Sequence, residues 1–120
     1  MADAAQIPTR IHLHQQSGIL DLSFGDQTYS LTAEYLRVYS PSAEVRGHGH
    51  GNEVLQTGKR QVRLLGIEPV GNYALKLIFS DGHDSGLYDW TLLWHLATEQ
   101  ASLWQDYLDR LEAAGASRDK

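Results

Sequence analysis

The sequence predicts an α+β fold, and three observations predict it. Apolar and polar residues alternate in two separate blocks, each broken by glycine-containing turns, which is the pattern of two small antiparallel meanders. A short helical pattern follows the first block. An apolar stripe at helical spacing then runs from Trp90 to Leu111, giving a C-terminal helix or broken helix pair to pack on the sheets.

In chain order, Ile11 and Leu13 begin the first alternation, "QQSG" turns it, and Leu20, Leu22 and Phe24 continue it. Gly25-Asp26 turns the chain again before Tyr29 and Leu31. In "TAEYLRVY", Thr32 stands where an N-cap is needed, and Leu31 before it can staple to Leu36. Ser40-Pro41 stops that helix, because the residue before proline is pushed out of the helical region. About twenty residues without a sustained period follow, "SPSAEVRGHGHGNEVLQTGKR", and a loop of that length in a compact domain reads as functional or mobile.

Strands resume at Val62 to Val70, where Pro69 marks an edge or a bulge. Gly71-Asn72 turns into Tyr73, Leu75, Leu77 and Phe79, the most regular alternation in the chain. Asp81-Gly82 turns again, and "SGLY" returns as a short strand. Asp89 is placed to cap the stripe-bearing helix, Thr98 to cap a second one, and Gly115 to end it. Three tryptophans on one stripe read as core, since a small domain needs such large buried side chains. Residues 1–9 and 115–120 are small and polar and read as disordered ends around a single domain, 10–114.

Composition narrows the chemistry. With 120 residues and 42% hydrophobic content, the chain supports one core and one domain. It has no cysteine, so disulfides, thiolate nucleophiles and thiolate metal sites are excluded, and any metal falls to His, Asp or Glu. A net charge of −5 argues against nucleic-acid binding, which needs clustered cations. Without an apolar run of membrane-spanning length or a secretory leader pattern, the expected location is cytoplasmic and no membrane partner is expected. The charge is uneven: residues 37–63 hold five basic residues against two acids, a net +3 that leaves −8 elsewhere. Arg37, Arg46, Lys59 and Arg60 therefore form a candidate interaction loop for a protein partner, against the plainer reading of a solvated basic loop.

The densest chemistry lies in "SDGHDSGLYDW", residues 80–90, where turn and cap duties account for Asp81, Gly82, Gly86 and Asp89 but not for His83. His12 and His14 sit two apart on a strand and read as its wet face. His48 and His50 are flanked by glycines that let both imidazoles approach one ion, and His83 is the candidate third ligand for zinc or iron. No nucleophile elbow, phosphate-binding glycine loop or dinucleotide fingerprint is present, so no catalytic residue is assigned and no cofactor is certain.

"AEYLRVYSPSAEVRGHGHG" followed by "YALKLIFSDGHDSGLYDWTLLWHL" resembles the gamma-butyrobetaine hydroxylase-like N-terminal domain, a family filed as of unknown function, and the likeness runs from about Ile11 to Leu111. In hydroxylase members this domain precedes a catalytic jelly roll and holds a structural zinc by three cysteines after a Leu-Arg dipeptide and one downstream histidine. Here Leu36-Arg37 matches, His83 falls on the histidine, and the cysteine positions fall on Ser40, Ser42 and Val45. The resemblance therefore carries over neither the zinc site, since hydroxyls ligate zinc poorly and valine not at all, nor the dioxygenase activity, whose iron ligands belong to the jelly roll. Related domains occur attached to ATPases resembling iron–sulfur carriers, which implies an accessory role. The expected function is a non-catalytic interaction module, linked through the resemblance to metal or iron–sulfur metabolism. The alternatives are a metal-binding protein using His48, His50 and His83 or, third, a small hydrolase or isomerase.

Overall fold

The computed structural model describes residues 7–46 and 54–120, with Glu44 and Arg46 described by their backbone alone. Within it the chain forms two three-stranded antiparallel sheets and four helices, an α+β fold. The first sheet takes β1 (Arg10–His14), β2 (Ile19–Phe24) and β3 (Gln27–Leu31) in chain order. The second takes β4 (Leu64–Val70), β5 (Ala74–Phe79) and β6 (Leu87–Asp89), also in chain order. Between them stand α1 (Ala33–Val38) and the single turn α2 (Ala43–Arg46); after them come α3 (Trp90–Thr98) and α4 (Gln100–Ala113).

Strand register follows from which residues must be buried. Leu20 pairs with Leu31 and Leu64 with Phe79, so the large buried side chains of each sheet gather on one face. Leu20, Leu22, Leu31, Leu36, Leu64, Leu77 and Tyr88 meet in one core with Leu93 and Leu96 of α3. Each such side chain, fully buried, contributes about 1.5–3 kcal/mol over the exposed state. The opposite face of the first sheet is wet: His14 Nε2 lies 2.7 Å from an Asp21 oxygen, Ser30 donates to the other at 2.7 Å, and His12 stacks on His14. The expected edge at Pro69 is present. β4 pairs on one side only, and its register slips between Leu64 and Gly66.

The caps explain where the helices begin and end. Tyr35 N donates to Thr32 Oγ1 at 3.2 Å, and Leu92 N donates to Asp89 Oδ1 at 2.8 Å. Gly115, at φ +65°, closes α4: Ala116 N reaches back to Leu111 O at 2.9 Å and Gly115 N to Glu112 O at 3.1 Å, the paired bonds of a Schellman ending. Two details differ from the pattern. The break between α3 and α4 falls at Glu99, because Thr98 turns its hydroxyl back onto Trp94 O at 2.8 Å instead of capping the next helix. The long irregular segment also contains α2, whose four residues are too few to show a period.

Residues 115–120, whose composition reads as a disordered end, lie along the segment after residue 57. Gly58 N donates to Ser117 O and Arg60 N to Arg118 O, both at 3.0 Å. Arg118 then spans to α1, where its guanidinium grips the Glu34 carboxylate by two bonds of 2.8 and 2.6 Å and stands 5.1 Å over the Trp104 ring. No helix among the described residues is long and apolar enough to cross a membrane.

Candidate functional site

The β5–β6 turn and the end of α1 meet in a buried corner, although they are more than forty residues apart in sequence. The turn is built locally. Gly82 N donates to Phe79 O, Phe79 N to His83 O, both at 3.1 Å, and the His83 amide to Asp81 Oδ1 at 3.2 Å. This aims the His83 ring inward against Phe79, leaving the residue only 6% exposed. Across from it, Pro41 ends α1 so that Ser40 faces the turn, and Ser40 Oγ lies 2.8 Å from His83 Nε2. The same oxygen accepts the Ser42 amide at 3.2 Å, and Ser42 Oγ pairs with Ser85 Oγ at 2.8 Å.

Gly86 makes the approach possible. A Cβ there would stand 2.5 Å from Ser40 Oγ and 3.0 Å from Pro41 Cδ, so only glycine lets the two segments close. Tyr88, two residues on in β6, is buried and donates to Leu36 O at 2.7 Å, tying β6 to α1. Burial pushes its phenol far up, more than the neighbouring Ser40 hydroxyl and Arg37 charge can offset, so it stays a neutral donor.

A charged network borders the corner. The Asp81 carboxylate accepts from Arg37 Nε at 2.9 Å and from Lys59 Nζ at 3.2 Å. Burial pushes its carboxyl up, but the His83 amide, Lys59 and Arg37 outweigh that and hold it below the ordinary carboxylate value. Arg37 also donates to Gln56 Oε1 at 3.0 Å, and Tyr107 of α4 donates to Gln56 O at 2.7 Å. The network thus links the turn, α1, the segment before β4 and α4. Tyr107, desolvated by burial and facing Glu34, is raised to about 12.

Of the residues singled out from sequence, His83 lies at the centre of the corner with Ser40 and Ser42, and Val45 is buried nearby on α2. His48 and His50 fall outside the described residues, as does the Arg46 side chain. Among the described residues no group of three His, Asp or Glu is arranged to hold a metal. Arg37 is buried on Asp81, Lys59 shares that carboxylate, and Arg60 pairs with Asp119 on the tail. Asp81, Gly86 and Gln56 were not marked as site residues. The crowding of residues 80–90 is the sequence signal for Asp81 and Gly86; Gln56 carries none.

The profile described as gamma-butyrobetaine hydroxylase-like, N-terminal, matches residues 11–94, well over half of the chain. The chain belongs to the gamma-butyrobetaine hydroxylase-like N-terminal domain family. Two solved relatives, both solution NMR structures, resemble this member closely. One is 58% identical with a TM-score of 0.85 and covers 95% of this chain and 90% of its own. The other is 52% identical with a TM-score of 0.81 and covers 98% and 89%. A crystal structure of a protein of unknown function from Acidithiobacillus ferrooxidans ATCC 23270, assigned to the DUF971 family, is 33% identical with a TM-score of 0.64 over 80% of this chain and 98% of its own. A search of curated proteins finds no match. In this gamma-butyrobetaine hydroxylase-like domain, the positions that the sequence resemblance equates with zinc ligands are thus gathered at one corner, with hydroxyls at two of them.

Proposed function

We propose that the chain is a cytoplasmic, non-catalytic accessory module that docks to a protein partner, and that its Ser40–His83 corner serves as a metal-free tie between α1 and the β5–β6 turn. One observation carries this reading: Ser40 Oγ and His83 Nε2 lie 2.8 Å apart, 2% and 6% exposed as residues. A hydroxyl–imidazole pair that deep, each group engaged by the other, is placed to join elements. Docking falls to the rim instead. Val54 and Leu65 are more than half exposed and flank Lys59 and Arg60 in sequence, a mixed apolar and basic segment of the sort that partners cover.

Two measurements test the proposal. Equimolar zinc or ferrous ion should leave the melting temperature unchanged, whereas Ser40→Ala should lower stability by about 1–3 kcal/mol, the cost of stripping a hydroxyl from a buried hydrogen-bonded pair. Stabilisation by metal that disappears in His83→Ala overturns the metal-free reading in favour of a centre that recruits His48 and His50. For docking, a partner captured by the native chain should be lost with Leu65→Glu and Arg60→Glu, with the folded NMR spectrum retained. Capture insensitive to both changes refutes the rim as the docking surface.

A further inference from the structure

Two cavities lined by described residues lie beyond the hydrogen bonds of the corner, the second of them bordering Ser40. One, of about 830 Å³, lies beside α1 and the tail and includes three arginines, each engaged within the protein. Arg60 is held by Asp119, Arg118 by Glu34, and Arg63 by the carbonyls of Gln15 and Gln16. The second, of about 510 Å³, lies between the end of α1, residues 54–56, α3 and α4. Its size falls within the roughly 300–1,000 Å³ typical of small-molecule sites.

The walls of this second cavity divide by chemistry. Val38, Leu55, Leu92, Leu96 and Leu103 supply an apolar floor, and none of the described lining residues is acidic. Two tyrosines in the wall are turned into the protein, Tyr39 donating to Leu103 O and Tyr107 to Gln56 O, both at 2.7 Å. His95 and Arg110 bring the basic groups. Arg110 is under-committed: one Nη donates to Tyr39 Oη at 3.2 Å, while its buried Nε has no hydrogen-bond partner among the described residues. The Asp106 carboxylate stands 3.2 Å from that Nε, an ion pair by distance but without hydrogen-bond alignment, and it is itself well exposed. Only the Nε atom is buried; the Arg110 side chain as a whole is 41% exposed, so the guanidinium is open to a ligand and offers a carboxylate two parallel N–H groups after a modest rotation.

We propose that this cavity binds a small amphipathic anion, a carboxylate on an apolar body, with Arg110 taking the head and the leucine-lined floor the body. Asp106 competes with that head for the same guanidinium, which gives the proposal a second handle. The test is an NMR titration of the full chain with sodium decanoate, set beside decanol. Saturable shifts at Val38, Leu92 and Leu103 are expected, with a Kd below about 1 mM, and decanol should bind at least about tenfold more weakly. Arg110→Gln should weaken decanoate by about tenfold or more, and Asp106→Asn should tighten it by removing the competing carboxylate. No saturation, equal affinity for decanol, shifts confined to other surfaces, or an Asp106→Asn variant that binds no tighter overturns the proposal. Because Asp106→Asn leaves the arginine and the floor intact, that arm stands even if Arg110→Gln fails to fold.

Discussion

Replacing Arg118 by methionine removes one of the two most enclosed ion pairs described in the molecule, and the loss can be sized from its surroundings. The Glu34 side chain is 7% exposed and receives two charge-assisted bonds from a guanidinium that is itself 28% exposed. Removing one partner of a deeply buried pair costs about 3–5 kcal/mol, because the remaining charge is left without a counter-ion. An exposed pair is worth at most about 1 kcal/mol. With one partner enclosed and the other partly wet, Arg118→Met should destabilise by about 2–3 kcal/mol, including the lost stacking over Trp104, itself worth about 0.5–1 kcal/mol. Urea unfolding at neutral pH measures this, with an unchanged m-value as the check that the unfolded state is the same. Replacing both partners, Glu34→Leu with Arg118→Met, should recover much of the loss, since apolar groups of similar volume leave no buried charge. Hydrogen exchange adds a local readout: the Gly58 and Arg60 amides, bonded to the tail, should lose protection in Arg118→Met. A single mutant within about 0.5 kcal/mol of the native chain, or two single effects that simply add, would refute the claim that this pair anchors the tail.

Two further outcomes follow from the corner. The folded Asp81 carboxyl ionises more readily than an unfolded one, so in acid the unfolded chain binds more protons and the stability from Asp81 drains away as pH falls below about 4. Asp81→Asn should therefore lower stability at neutral pH and flatten that part of the acid-unfolding curve; an unchanged curve in the variant would refute the assignment. Gly86→Ala forces its methyl group against Ser40 Oγ and should cost about 1–3 kcal/mol by thermal or urea unfolding. Combined with Ser40→Ala, the penalty should be smaller than the sum, and strict additivity would show that the contact is not the cause.

Sequence periodicity reached the features that depend on near neighbours. Both meanders, the Thr32 and Asp89 caps and the Gly115 ending can be read from residues within a turn of one another. What stayed hidden depends on pairs far apart in the chain. Arg37 reads as a docking cation until Asp81, 44 positions on, is brought to its side. The tail reads as a frayed end because nothing local announces that Arg118 will meet Glu34, 84 positions earlier. The His83 corner was legible in part, since the family pattern pointed to Ser40, Ser42 and His83 as neighbours. That they would be joined by a hydroxyl–imidazole bond depended on Pro41 and Gly86 setting the approach, which spacing alone does not encode. The helix break falls within the expected stretch, and only its cap differs, Glu99 in place of Thr98, because a threonine able to cap a helix can equally bond backwards to the preceding turn.

The borders of the β4–β6 sheet limit how another protein can recognise it. β6 presents only three residues, and β4 carries a proline and an irregular register, so neither side offers an unbroken ladder of amides and carbonyls to a visiting strand. A companion approaching there must read protruding side chains such as Leu65 and Leu87. Selectivity at that flank would accordingly change with single residue replacements, and growth into fibrils by strand addition would be discouraged.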